Sequence, residues 1–115
     1  MIGVPPDPLD KRTRSRLRTL RRGRIFYGVD HALSFDCVIR NITDDGALLR
    51  APATQAVPDA FVLMHVADGV AFEASLRWRR GEDIGVQFLS RHELKGEVGE
   101  AYRVLRRVWL ALAPE

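Results

Sequence analysis

Along much of the chain, apolar residues recur at every second position. Val70, Phe72, Ala74, Leu76 and Trp78 alternate with Ala71, Glu73, Ser75, Arg77 and Arg79, the period of a strand with one buried face. Leu33, Phe35, Cys37 and Ile39 alternate likewise with Ser34, Asp36, Val38 and Arg40, and Ile84, Val86 and Phe88 with Gly85, Gln87 and Leu89. Phe61 to Val66 is a continuous apolar run, suited to a strand covered on both faces. Turn residues separate these runs at Tyr27-Gly28-Val29-Asp30, Thr43-Asp44-Asp45-Gly46, Val57-Pro58-Asp59, Ala67-Asp68-Gly69 and Arg80-Gly81-Glu82-Asp83. The pattern predicts six strands, near 17–27, 33–42, 46–51, 60–66, 70–80 and 84–89. Short strands at this spacing imply a barrel or a sandwich, and closure into a barrel removes the exposed edges of a small open sheet. After residue 90 the period changes. Val98, Ala101, Tyr102, Leu105, Val108, Trp109 and Leu112 fall at steps of three and four, which predicts a helix over about 92–112. Glu97 and Glu100 precede Arg103, Arg106 and Arg107 in the order a helix dipole favours, and Pro114 stops the helix.

Length confines these elements to one core, since 115 residues that are 46% apolar leave little room for two. The expected organisation is a flexible lead-in over residues 1–13, where Pro5, Pro6 and Pro8 fix φ, followed by one domain over 14–115 with its barrel at about 14–90. No apolar run approaches the roughly 20 residues of a membrane-spanning helix, and the N-terminus has no apolar segment of a secretory signal. A cytoplasmic location is the expectation. The lone Cys37 forms no intramolecular disulfide and no cysteine-rich zinc site.

Charge changes the picture more than composition does. The net charge of +3 conceals eight Lys or Arg against two Asp between residues 1 and 24, and an acidic excess beyond them. Seven arginines between residues 12 and 24 invite an anionic nucleotide, because the guanidinium fork meets phosphate oxygens in pairs and also matches the O6/N7 edge of guanine. The same run is equally read as a solvated basic arm or a non-specific nucleic-acid patch. A second candidate is Asn41-Ile42-Thr43-Asp44-Asp45-Gly46, where one strand ends and the next begins. Its amide, hydroxyl and glycine suit a ligand surface, and they also suit a plain turn. Catalytic signatures are missing: there is no Gly-x-Ser-x-Gly, no His-Glu-x-x-His and no phosphate loop. His31, His65 and His92 lack metal-ligand spacing, and Cys37 falls on the inward register of its strand as a small hydrophobe. A binding module is expected, with no enzymatic activity, no metal and no cofactor.

Taken together, the two signals resemble the PilZ domain family, whose marks are Arg-x-x-x-Arg before the first strand and a later (Asp/Asn)-x-Ser-x-x-Gly. The resemblance runs from about Arg12 to Leu89 and includes Phe35 to Thr43, Leu76 to Gly81 and Ile84 to Phe88. It implies a mainly β fold, a six-stranded antiparallel barrel with a C-terminal α-helix, and a receptor for cyclic di-GMP. Arg12/Arg16, Arg14/Arg18 and Arg18/Arg22 all satisfy the first spacing. Arg14 and Arg18 are chosen because the family's second arginine stands at the entry to the first strand, which Thr19-Leu20 begins here. Thr43 replaces the family's serine and keeps its hydroxyl.

The resemblance thus assigns phosphates and guanine edges to Arg14 and Arg18, guanine polar groups to Asn41, and the contact surface to Thr43 and Gly46. Arg12, Arg16, Arg21 and Arg22 become secondary contacts for a ligand often bound as two stacked copies. Binding is expected to order a mobile arm and change the surface offered to a protein partner, in a monomer or a homodimer. Two rival readings remain. One is a small RNA- or DNA-binding barrel, against which Phe35, Phe72 and Trp78 count by their inward register. The other is a PilZ-like interaction domain that has lost the ligand and works through a protein surface such as the Tyr102/Trp109 helix face.

Overall fold

The computed structural model describes residues 20–113. Six antiparallel strands close into a barrel in the order β1-β2-β3-β6-β5-β4. β1 spans Arg21–Tyr27, β2 Leu33–Ile42, β3 Gly46–Arg50, β4 Ala60–His65, β5 Val70–Arg80 and β6 Asp83–Glu93. Among the described residues one α-helix, α1, spans Arg103–Leu112, directly behind a 3-10 turn at Glu100–Tyr102, and another 3-10 turn lies at Val29–His31. No helix among the described residues is long and apolar enough to cross a membrane.

Strand alternation divides the apolar residues between two cores. Ile25, Cys37, Ile39, Leu49, Leu63, Phe72 and Ile84 fill the barrel. Phe26, Val62, Met64, Val66 and Ala71 face outward and are covered by Leu94, Tyr102 and Leu105. β4 serves both cores, so all of Phe61 to Val66 is buried, as its unbroken apolar run predicts. Full burial of a side chain such as Leu105 contributes about 1.5–3 kcal/mol. α1 is further tied down by polar contacts. Trp109 Nε1 donates to the Val66 carbonyl at 2.8 Å, and the Tyr102 hydroxyl donates to Glu73 at 3.1 Å. The Tyr102 ring stacks on His92 at 4.3 Å between centroids.

Two expectations need correction. The helix predicted from about 92 begins only at Arg103, because β6 continues to Glu93. Residues 90–93 keep their ladder with Val70–Glu73, and Gly96 then takes φ +79°, outside the helical region. The Tyr102/Trp109 face imagined as a partner surface is instead packed against the barrel.

Candidate functional site

Three bulges interrupt the ladders, and two of them build one surface. Between Ile39↔Leu49 and Asn41↔Leu48, β2 carries one residue more than β3, namely Arg40. Between Leu76↔Val86 and Trp78↔Gly85, β5 carries one more than β6, namely Arg77. An extra residue reverses the alternation beyond it. Ile42, beyond the first insertion, therefore returns to the interior core, where Leu76, ahead of the second, already lies, while Asn41 and Trp78 turn outward. Leu48 pairs with Gly85, so Asn41, Leu48, Gly85 and Trp78 form one lateral row across four strands. This overturns the inward register expected of Trp78, whose side chain is 48% exposed. Alternation alone cannot show a single-residue insertion.

Glycine at 85 makes the row possible. A Cβ there would lie 2.2 Å from Trp78 Nε1, so the indole rests directly on the strand backbone. Gly46 has a different reason. Its Cβ would lie 2.2 Å from the Val86 carbonyl oxygen, so the turn approaches β6 more closely than any side chain permits. Thr43 secures the same turn. Its N–H donates to the Gly46 carbonyl at 2.9 Å, its hydroxyl lies 3.4 Å from that oxygen, and the hydroxyl accepts from Asp45 N–H at 3.2 Å. The hydroxyl kept by threonine thus works locally, as in Ser/Thr turns.

Asn41, Thr43 and Gly46 line one open cavity of about 350 Å³ together with Arg77, Trp78 and Gln87. Arg77 donates to Gln87 Oε1 at 3.0 Å. The cavity therefore offers an exposed indole face, a held guanidinium, and the amides of Asn41 and Gln87. Such a set stacks a planar base and hydrogen-bonds its edge. Residues 77, 78 and 87 escaped the sequence reading, although an aromatic flanked by arginines at Arg77-Trp78-Arg79-Arg80 carried a trace of the signal.

Arg14 and Arg18, with Arg12 and Arg16, lie outside the described residues. Their point of attachment is described. Arg21 pairs with Ile39, so the chain enters β1 at the barrel end that carries the Asn41–Gly46 turn. Arg21 and Arg22 do not line the Asn41 cavity but a neighbouring one of about 380 Å³ with Leu20, Asp36, Cys37 and Val38. Arg22 stands 3.9 Å from Asp36, which Arg24 holds at 2.7 Å.

Other chemistry is accounted for structurally. Burial, aided by the Asp36 charge, pushes the Cys37 thiol up to about 12, which keeps it protonated. His31 Nδ1 lies 3.1 Å from the Ala101 carbonyl, and His92 pairs with Ser90 at 2.9 Å. His65 is buried with its pKa lowered, chiefly by loss of hydration. Among the described residues no three His, Cys, Asp or Glu are grouped to hold a metal.

A family model described as the PilZ domain matches residues 10–98, a span that contains both Arg14–Arg18 and Asn41–Gly46. Domains of this kind are generally cyclic di-GMP binding modules and typically non-catalytic receptors. No curated protein and no solved structure matches the chain.

Proposed function

The chain belongs to the PilZ domain family, and from that premise we propose that it is a receptor for cyclic di-GMP. The observation that carries the reading is the outward row of Asn41, Gly85 and Trp78, built by two bulges beside the turn that holds Thr43 and Gly46. Bulges that re-aim side chains next to a cavity are a device of binding sites.

In this reading the Trp78 indole supports one guanine by stacking, and Asn41 and Gln87 hydrogen-bond its edge. Arg77 adds a charge-assisted contact. Arg14 and Arg18 approach from the entry of β1 and hold the phosphates and the Hoogsteen edges. Thr43 and Gly46 shape the floor. A ligand that engages residues on both sides of the β1 entry favours an arm ordered against the barrel, and a changed surface for a protein partner follows. The outward Trp78 removes one objection to a single-stranded RNA binder. It nevertheless offers a platform for one base, whereas Phe72 is buried and Phe35 packs against the interior core, so a short cyclic dinucleotide fits better than a run of bases.

Calorimetric titration with cyclic di-GMP, with GTP and a short RNA as controls, tests the proposal. Arg14→Ala, Arg18→Ala and Trp78→Ala are each expected to weaken binding by about one to two decades, as loss of a charged hydrogen bond or a stacked base does. The melting temperatures of the arginine variants should not change. Absence of heat with cyclic di-GMP, or equal binding of the RNA, overturns the reading. Unchanged curves for Arg14→Ala and Arg18→Ala overturn the chosen register alone.

A further inference from the structure

The edge of α1 opposite its buried stripe carries Arg103, Arg106, Arg107 and Leu110, with Arg103/Arg107 and Arg106/Leu110 each four residues apart. None of the three arginines joins an ion pair among the described residues. With Glu97, Val98 and Leu110 they line a groove of about 450 Å³ between the helix and the segment that leads to it. Arg106 Nε is shielded from solvent and has no hydrogen-bond partner among the described residues. A guanidinium with one donor left dry and no carboxylate beside it gains from an anion that meets its remaining donors. Beside it, Leu110 is 59% exposed.

These features select the occupant. The three arginines line a concave groove, so a side chain enters it where a planar lipid surface does not. Val98 and Leu110 give the groove apolar walls, which suit an aliphatic neighbour of the anion better than a phosphodiester backbone. Residues 1–19 of this chain carry five Lys or Arg against two Asp, so its own basic arm is repelled. We propose that this groove docks an acidic segment of a partner protein. One carboxylate reaches Arg106 between Arg103 and Arg107, and an adjacent apolar side chain covers Val98 and Leu110. Glu97 on the rim repels a second carboxylate on its side and so sets the direction of the segment. The groove lies on α1, away from the Asn41 cavity, and the proposal does not depend on the nucleotide reading.

The test uses the full chain and a fluorescein-labelled twelve-residue peptide of alternating glutamate and leucine, with its glutamine counterpart as control, read by anisotropy. The acidic peptide is expected to bind, more weakly as salt rises, and the glutamine peptide is not. Arg103→Glu and Arg107→Glu, both at exposed positions, should lower the affinity about tenfold or more, as should Arg106→Gln, with melting temperatures retained. Arg50→Glu, away from the groove, should leave it unchanged. Peptide binding insensitive to the three arginines overturns the proposal. So does arginine-dependent binding of phosphatidylserine vesicles or a short RNA in preference to the peptide. Self-association abolished by Arg107→Glu, with no peptide binding, overturns it in favour of a second copy.

Discussion

Gly46→Ala is the most direct test of how the candidate site is built. The added Cβ would lie 2.2 Å from the Val86 carbonyl oxygen, against 3.4 Å or more for ordinary contact. The obstacle is backbone and cannot swing aside, so β3 and β6 must part locally by about 1 Å. One hydrogen bond crosses the point of separation, Phe88 N–H to the Asp45 carbonyl at 2.8 Å, and the turn bond from Thr43 N–H to the Gly46 carbonyl at 2.9 Å must strain as β3 shifts. An extra ångström breaks the first. At about 1 kcal/mol for that bond plus strain in the turn, the expected loss is about 1–2 kcal/mol. For a domain of this size that lowers the melting temperature by about 5–15 °C. Circular-dichroism melts and urea titrations measure it, with Gly99→Ala as control. Gly99 has φ −64° and nothing within 4 Å of a Cβ, so that variant should melt like the wild type. A Gly46→Ala melting temperature within about 2 °C of wild type would refute the close-approach argument, and the turn would then be more compliant than the contact implies.

Other outcomes follow from the helix and from His65. Truncation after Lys95 uncovers Phe26, Val62, Met64 and Val66 on the outer face and should abolish cooperative melting or cause aggregation; a truncated barrel that is monomeric and equally stable would show that α1 does not complete the core. Desolvation lowers the pKa of His65 in the fold below its usual 6.5, so the unfolded chain binds the extra proton first. The contribution is therefore fully present above about pH 6.5 and is lost as pH falls toward the lowered value, with a slope of at most about 1.4 kcal/mol per pH unit. Urea midpoints between pH 7.5 and 5, measured for wild type and His65→Gln, should diverge on the acid side, with the variant flatter; parallel profiles would show that His65 does not couple to folding.

Legibility varied from element to element for physical reasons. β2 at Leu33–Ile42 and β5 at Val70–Arg80 coincide with the predicted limits, because alternation and turn residues agree there. β6 runs four residues past the expected end at Leu89 because Ser90 to Glu93 find partners in β5, and ladder pairing leaves no mark on polar side chains. Val98 and Ala101 fit a helical period by spacing alone, while Gly96 and Gly99 hold that stretch out of the helix. At the site, turn chemistry disclosed Asn41, Thr43 and Gly46. Trp78 was misassigned because the inserted Arg77 reverses the faces of β5 without altering composition. The cavity itself depends on neighbours across the sheet, which no single segment encodes.

β4 has a consequence for biosynthesis. Because both of its faces are apolar from Phe61 to Met64, a slip of one residue there exchanges one hydrophobic side chain for another, and hydrophobicity alone cannot correct the error. Pairing with β1 and β5 and the flanking turns must set its position. The outer half of the strand also waits for Leu94, Tyr102 and Leu105, which leave the ribosome some thirty or more residues later, at about 5–20 residues per second. During those seconds Phe-Val-Leu-Met-His-Val, free of proline and charged carboxylates, is the segment of the nascent chain best suited to pair with another copy, and rapid closure of β1, β4 and β5 is its first protection until the helix docks.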